Sequence, residues 1–190
     1  LVFKKVLHDI QIINSRLKSE EFKIAINISP EYFFKYTFVD DIVGYCKDFS
    51  IDSKQVELEL LETNIMKNSE ISQKKIEKLH ESGFDISIDD FGTGYSSLSY
   101  LKNFKVNKLK IDQSFIRDFL EDNSDKAIVQ AIINLANIFN LKVQAEGVET
   151  KEHEQLLQYL NCNLAQGYFY NKPLPLNVFL DSTQMKKNEE

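Results

Sequence analysis

Apolar and polar residues alternate in six short runs: Lys23–Ser29, Val56–Glu62, Asp85–Phe91, Lys108–Asp112, Lys142–Val148 and Asn163–Tyr170. A period of two predicts strands. Between them, apolar residues recur at helical spacing in Val2–Leu17, Glu31–Asp48, Ser69–Ser82, Asp125–Asn140, Lys151–Leu160 and Leu176–Met185, with Ser96–Lys102 as a further short helix. Strands alternating with helices predict βα units around a parallel sheet. Residues 1–184 read as one domain and Met185–Glu190 as a solvated tail.

Parity within the strands narrows the fold. Ile24, Ile26 and Ile28 share one face, with Ala25, Asn27 and Ser29 opposite; Val56, Leu58 and Leu60 likewise oppose Glu57 and Glu59. Ile86 and Ile88 oppose Ser87 and Asp89, Leu109 and Ile111 oppose Lys108 and Lys110, and Val143 and Ala145 oppose Gln144 and Glu146. A doubly wound sheet meets helices on both faces and is apolar on both. A polar second face in every strand suits a barrel interior instead. The polar residues also fall late in each strand, where (β/α)8 barrels build their sites. The expected class is therefore α/β, a TIM-type (β/α)8 barrel. It is incomplete: six strands are present and the chain opens on a helix, so about two strands and a helix are expected N-terminal to it.

Charge changes the picture more than composition does. Lys and Arg number 23 against 29 Asp and Glu, a net charge of -6, which argues against a duplex nucleic-acid binder. A phosphate ligand held through metal ions remains compatible. Cys46 and Cys162 are too few for a disulfide scaffold and read as free thiols of a reducing compartment. No run approaches the ~20 apolar residues of a membrane helix. His8, His80 and His153 lie in helical stretches and read as surface residues.

Five features carry candidate chemistry: Asn27; Glu57-Leu58-Glu59-Leu60-Leu61-Glu62; Asp89-Asp90-Phe91-Gly92-Thr93-Gly94; Lys108-Leu109-Lys110-Ile111-Asp112; and Ala145-Glu146-Gly147-Val148-Glu149. Adjacent carboxylates at a strand end repel each other unless a cation lies between them. A lysine directed into a barrel must pair with carboxylates or meet substrate. The Gly-Thr-Gly turn lets backbone approach a ligand. Acids and one Asn, with no Cys/His cluster, form a hard oxygen donor set that favours Mg2+ or Mn2+ over zinc. Carboxylates from several strands can hold two ions about 3.5–4 Å apart, an arrangement recurrent in phosphoryl chemistry.

At these residues the chain resembles the EAL domain family, bacterial phosphodiesterases that hydrolyse cyclic di-GMP to linear pGpG. The resemblance also rests on Asn27-Ile28-Ser29, Ala165-Gln166-Gly167-Tyr168 and Lys172-Pro173-Leu174-Pro175. It implies a barrel fold and two Mg2+ or Mn2+ ions. By the same resemblance Asn27, Glu59 and Asp89 would hold one ion, with Asp89 and Asp90 on the second. Lys110 would orient or help deprotonate the attacking water; Glu146 would be general base or support the water and second metal. Glu62 would anchor the Asp90–Ser97 loop containing Gly92, Thr93 and Gly94, a loop associated with regulation and dimer contacts, and Glu149 is grouped with it. Gln166 and Pro173 would line the substrate site.

Two departures stand out. Leu61 replaces the family's usual Thr, and the Glu-Ala-Leu tripeptide, which supplies a metal ligand, is absent from the chain. The expectation is a cyclic di-GMP phosphodiesterase domain whose 190 residues alone are inactive or weak. It would be cytoplasmic, prone to homodimer formation or other self-association, and coupled to upstream sensor or GGDEF-type domains. The alternative is a non-catalytic cyclic di-GMP-binding regulatory module. An enolase-type proton-abstracting layout also places lysines and acids on neighbouring strands, but the Asp89-Asp90 pair and the Gly-Thr-Gly loop fit it poorly.

Overall fold

A computed structural model describes residues 2–17, 22–94 and 101–187. Most of the short helix expected at Ser96–Lys102 lies outside the described residues. Among the described residues, six parallel strands form one sheet in sequential order: β1 (Ile24–Ile28), β2 (Val56–Leu61), β3 (Asp85–Phe91), β4 (Lys108–Ile111), β5 (Lys142–Ala145) and β6 (Leu164–Ala165). Every neighbouring pair is parallel, so each step needs a crossover, as the alternation of elements predicts. This is the α/β barrel-type arrangement expected.

Helices cover the apolar face. They are α1 (Val2–Leu17), α2 (Pro30–Phe33), α3 (Phe38–Asp48), α4 (Glu62–Lys67), α5 (Ser69–Glu81), α6 (Gln113–Arg117), α7 (Asn123–Ile138), α8 (Lys151–Tyr159) and α9 (Leu176–Lys187). In α1, Phe3, Leu7, Ile10, Ile13 and Leu17 are buried at steps of three and four. From the strands, Leu58, Ile86, Ile88, Leu109, Ile111, Val143 and Ala145 are wholly buried in the same core. No described helix is long and apolar enough to cross a membrane.

Several boundaries differ from the sequence pattern. The helix expected over Glu31–Asp48 breaks into α2 and α3 because Phe33 and Phe38 both enter the core. At 3.6 residues per turn, positions five apart point about 140° from each other, so one straight helix could not bury both. The break brings their rings to 5.4 Å, and Lys75 Nζ donates to the carbonyls of Phe33 and Lys35 that the break exposes, each at 2.7 Å. The run at Lys142–Val148 stops as a strand at Ala145, because Gly147 turns the chain at φ +71°. The run at Asn163–Tyr170 keeps only two paired residues.

His153 corrects the surface reading of the histidines. It is buried, with its ring packed edge-on against Phe119 at 5.4 Å, whereas His8 and His80 are exposed. Its side chain lies on the inner stripe of α8 with Leu157, four residues on.

Candidate active site

The helix-free face of the sheet collects the polar strand residues in layers. Asn27 and Glu59 are register partners on β1 and β2. Asp89 comes from β3, Lys110 from β4, and Glu146 from the residue following β5, where its N–H still donates to Ile111 O at 3.2 Å. The Lys110 ammonium lies 2.6 Å from Glu59 Oε1, 2.9 Å from Asp89 Oδ1 and 2.7 Å from Glu146 Oε1. Its side chain is only 4% exposed. One buried ammonium is thus held by three carboxylates from three other strand positions. Asn27, on β1, is exposed.

Asp90 reaches the same cluster by a backbone irregularity. Strict alternation would turn it to the opposite face from Asp89. Between the paired positions Ile88↔Leu109 and Phe91↔Ile111, β3 carries one residue more than β4, and Asp90 sits at φ +53°. Such a bulge re-aims a side chain, and Asp tolerates the left-handed region better than most residues. Carboxylate oxygens of Asp89, Asp90 and Glu146 therefore lie within 4.8 Å of one another.

Electrostatics follow from this crowding. Burial raises the pKa of Glu59 and of Glu146, and the neighbouring acids add to it, while Lys110 opposes the rise in both. Asp90 is pushed up to about 6 by burial, by the Asp89 charge and by Asp112, with which it shares a hydrogen bond. Burial works against the Lys110 charge, but hydrogen bonds to Glu146, Glu59 and Asp89 outweigh it and raise its pKa. Four acids against one ammonium leave the cluster strongly negative. Asp89 Oδ1 is buried against the Lys110 ammonium, 2.9 Å away. Three crowded carboxylates, Asp89, Asp90 and Glu146, with Asn27 in register with Glu59, are a hard oxygen donor set that fits a divalent cation.

The remaining predicted residues occupy distinct places. Buried Glu62, at the start of α4, accepts the Gly92 N–H through Oε2 at 3.0 Å. A Cβ on Gly94 would stand 3.3 Å from Glu62 Oε1, so the start of the loop lies against this carboxylate. Thr93 Oγ1 donates to Asp90 O at 2.8 Å. Exposed Gln166 follows β6, and its Oε1 accepts from Gln144 Nε2 at 2.8 Å. Glu149 is exposed and lines a separate cavity of about 250 Å³ with Asp112, Arg117 and His153. Pro173 lies exposed in the irregular segment 171–175.

Four residues near the site were not assigned roles from sequence: Asp112, Glu57, Lys108 and Gln144. Asp112, directly after β4, meets Asp90. Lys108 donates to Glu57 Oε2 and to Gln144 Oε1, each at 2.9 Å. Glu57, Lys108 and Gln144 stand two residues before Glu59, Lys110 and Glu146, so strand parity alone places them on the site's face. They border a cavity of about 670 Å³ that opens along this face and also reaches Glu59 and Gln166.

Comparison with known proteins gives consistent matches. The EAL domain family matches residues 1–173. The bifunctional diguanylate cyclase/cyclic di-GMP phosphodiesterase MucR of Pseudomonas aeruginosa is 40% identical over 162 residues, covering 85% of this chain and 24% of that protein. The structure of the MucR phosphodiesterase in complex with c-di-GMP superposes with a TM-score of 0.86 at 37% identity, over 94% of this chain and 73% of that one. The manganese/cyclic di-GMP complex of BlrP1 from Klebsiella pneumoniae gives 0.76 at 28% identity, over 87% and 44%. The chain spans about a fifth to a quarter of the length of the curated relatives it matches.

Proposed function

The chain belongs to the EAL domain family, and from that premise we propose that it is part of a metal-dependent phosphodiesterase that hydrolyses cyclic di-GMP to linear pGpG. The observation that carries the reading is the Lys110 cage. Buried Glu59 and Asp89 and half-buried Glu146 surround one ammonium, with Asp90 alongside, and this excess of acids favours added cations. A substrate made of phosphodiesters and a pair of Mg2+ or Mn2+ ions would meet that demand together.

Asn27, Glu59 and Asp89 would hold one ion, and Asp89 with Asp90 the other. Bound there, the ions would supply Lewis acidity toward the phosphodiester and lower the pKa of water. The chain's own groups divide the remaining work. Lys110 is held as an ammonium by its carboxylates, which makes it a hydrogen-bond donor and charge anchor rather than a base. Glu146, whose pKa burial raises, is the better proton acceptor for an attacking water. Glu62 holds the Gly92 turn, and through it the position of Asp90. Gln166 and Pro173 would contact the nucleotide.

Residues 1–184 are read as the greater part of the domain, supported by six sequential strands and by 73% coverage of the solved MucR phosphodiesterase. A glutamate from a Glu-Ala-Leu tripeptide, which these 190 residues do not contain, would complete the first ion's shell. The 190-residue chain alone is then weak or inactive. Self-association, upstream sensor or GGDEF-type partners and a cytoplasmic location belong to the same proposal.

The test is incubation of the full-length protein and of the 190-residue chain with cyclic di-GMP and Mn2+, with products separated by anion exchange. The expected result is pGpG from the full-length protein and little from the chain. Intact nucleotide after incubation with metal-loaded full-length protein refutes the phosphodiesterase reading.

A further inference from the structure

The layer beneath the Lys110 cage is a directed hydrogen-bond chain. Glu57 is 4% exposed and Gln144 9% exposed, and both face the barrel interior. Lys108 Nζ donates to Glu57 Oε2 and to Gln144 Oε1, each at 2.9 Å, and Gln144 Nε2 donates to Gln166 Oε1 at 2.8 Å. The oxygen and nitrogen of a Gln side chain are nearly indistinguishable by shape, so either amide could in principle be turned over. Here chemistry decides. An ammonium carries only donors, so Gln144 must offer it oxygen. With that oxygen turned to Lys108, the Gln144 NH2 is the end that lies against Gln166, and Gln166 answers with oxygen at 2.8 Å. The Gln166 NH2 then remains as its outward polar end on an exposed side chain.

We infer that Glu57, Lys108 and Gln144 are positioning residues that fix Gln166 as a hydrogen-bond donor to the substrate. The inference rests on the phosphodiesterase reading above and deepens it. The group that Gln166 meets must be an acceptor, such as a phosphodiester oxygen or a base carbonyl, and not an N–H. Glu57 neutralises Lys108, which lets a partly buried ammonium stand beneath the site without competing for the phosphates.

Gln144→Glu tests the polarity with almost no change of shape. The introduced carboxylate would offer oxygen to both neighbours, so Gln166 would turn its NH2 inward and present oxygen to the substrate. In the full-length protein the KM for cyclic di-GMP should rise about tenfold with kcat within about twofold, as expected for loss of one hydrogen bond made equally in ground and transition states. In a Gln166→Ala background the same substitution should add nothing. Wild-type KM in the single variant, or equal losses in both backgrounds, overturns the inference.

A second readout does not need turnover. Hydrogen exchange of the side-chain amides, followed by 15N NMR, should show the Gln144 NH2 protected and the Gln166 NH2 exchanging freely. In Gln144→Glu the Gln166 NH2 should become protected. Protection of Gln166 in the unmodified protein overturns the assigned polarity. If the amide pattern holds while the protein leaves cyclic di-GMP intact, the relay stands and it is the functional reading that fails.

Discussion

Lys110 Nζ and Glu146 Oε1 stand 2.7 Å apart, joining β4 to the turn that follows β5. The contact places the expected proton acceptor against a permanent positive charge that Glu59 and Asp89 also share. Each acid is tolerable in this interior because the ammonium is there. The ammonium in turn is tolerable because the acids are.

Removal of that charge has a defined consequence. Lys110→Met leaves buried Glu59 and Asp89 and half-buried Glu146 without a counter-ion. Metal-free protein should lose about 3–5 kcal/mol in urea denaturation, the usual result of breaking a buried ionic group from one side. Added Mn2+ should recover part of the loss. Unchanged stability of the metal-free variant would mean that the carboxylates already carry protons.

Asp90→Asn separates repulsion from ligation. With one acid fewer, the cluster should repel itself less, so metal-free protein should melt at the same or a higher temperature than wild type. The stabilisation that Mn2+ brings to wild type should shrink markedly. A variant with wild-type metal response would remove Asp90 from the ligand set.

The pH dependence has a clear sign. Asp90, pushed up to about 6, holds its proton more tightly folded than unfolded, and Glu59 and Glu146 shift in the same direction. The folded state therefore binds more protons between the ordinary carboxylate range and about pH 6. This contribution to stability is full below the unfolded pKa and is lost as pH rises through the folded one. Melting in EDTA should show it as a decline from about pH 4 to above pH 6, overlaid on any acid-denaturing groups elsewhere. With saturating Mn2+ the slope over this window should flatten or reverse, because the ion displaces protons. Parallel curves with and without metal would contradict the cluster as the ion's site.

Gly167 limits how β6 leaves the sheet. A Cβ there would lie 2.0 Å from Val148 O and 2.3 Å from Val148 N, both backbone atoms that cannot swing aside. The Gln166 carbonyl also accepts the Val148 N–H at 3.1 Å, so the two segments approach through this glycine. Gly167→Ala should cost about 1–3 kcal/mol or more and displace Gln166. The checks are chemical denaturation and the KM for cyclic di-GMP; wild-type values in both would show that the crossing can relax.

Loop anchoring by Glu62 is measured at one amide. Glu62→Ala removes the acceptor of the Gly92 N–H, and exchange of that amide should accelerate at least about tenfold, in line with the net worth of a hydrogen bond to a charged group. Unchanged exchange would mean that the turn holds itself.

Alternation along the chain is enough to locate the strands and to say which residues share a face. Ile86 and Ile88 against Ser87 and Asp89 is a statement about side-chain direction, and it survives whatever the sheet packs against. Asn27, Glu59, Asp89, Lys110 and Glu146 are therefore readable as residues of the polar strand faces before any fold is known, and the motif resemblance gives them their candidate roles. What depends on contacts between distant segments is not readable in this way. The split of the Glu31–Asp48 helix follows from two phenylalanines competing for one core, with Lys75 from α5 taking the exposed carbonyls. The burial of His153 depends on Phe119 lying opposite. Asp90 joins the cluster only because β3 carries one residue more than β4 between paired positions, a mismatch that exists in the pairing and not in either strand. The direction of the Gln144–Gln166 hydrogen bond likewise belongs to neither glutamine. It is set by an ammonium from the adjacent strand, which can donate but not accept.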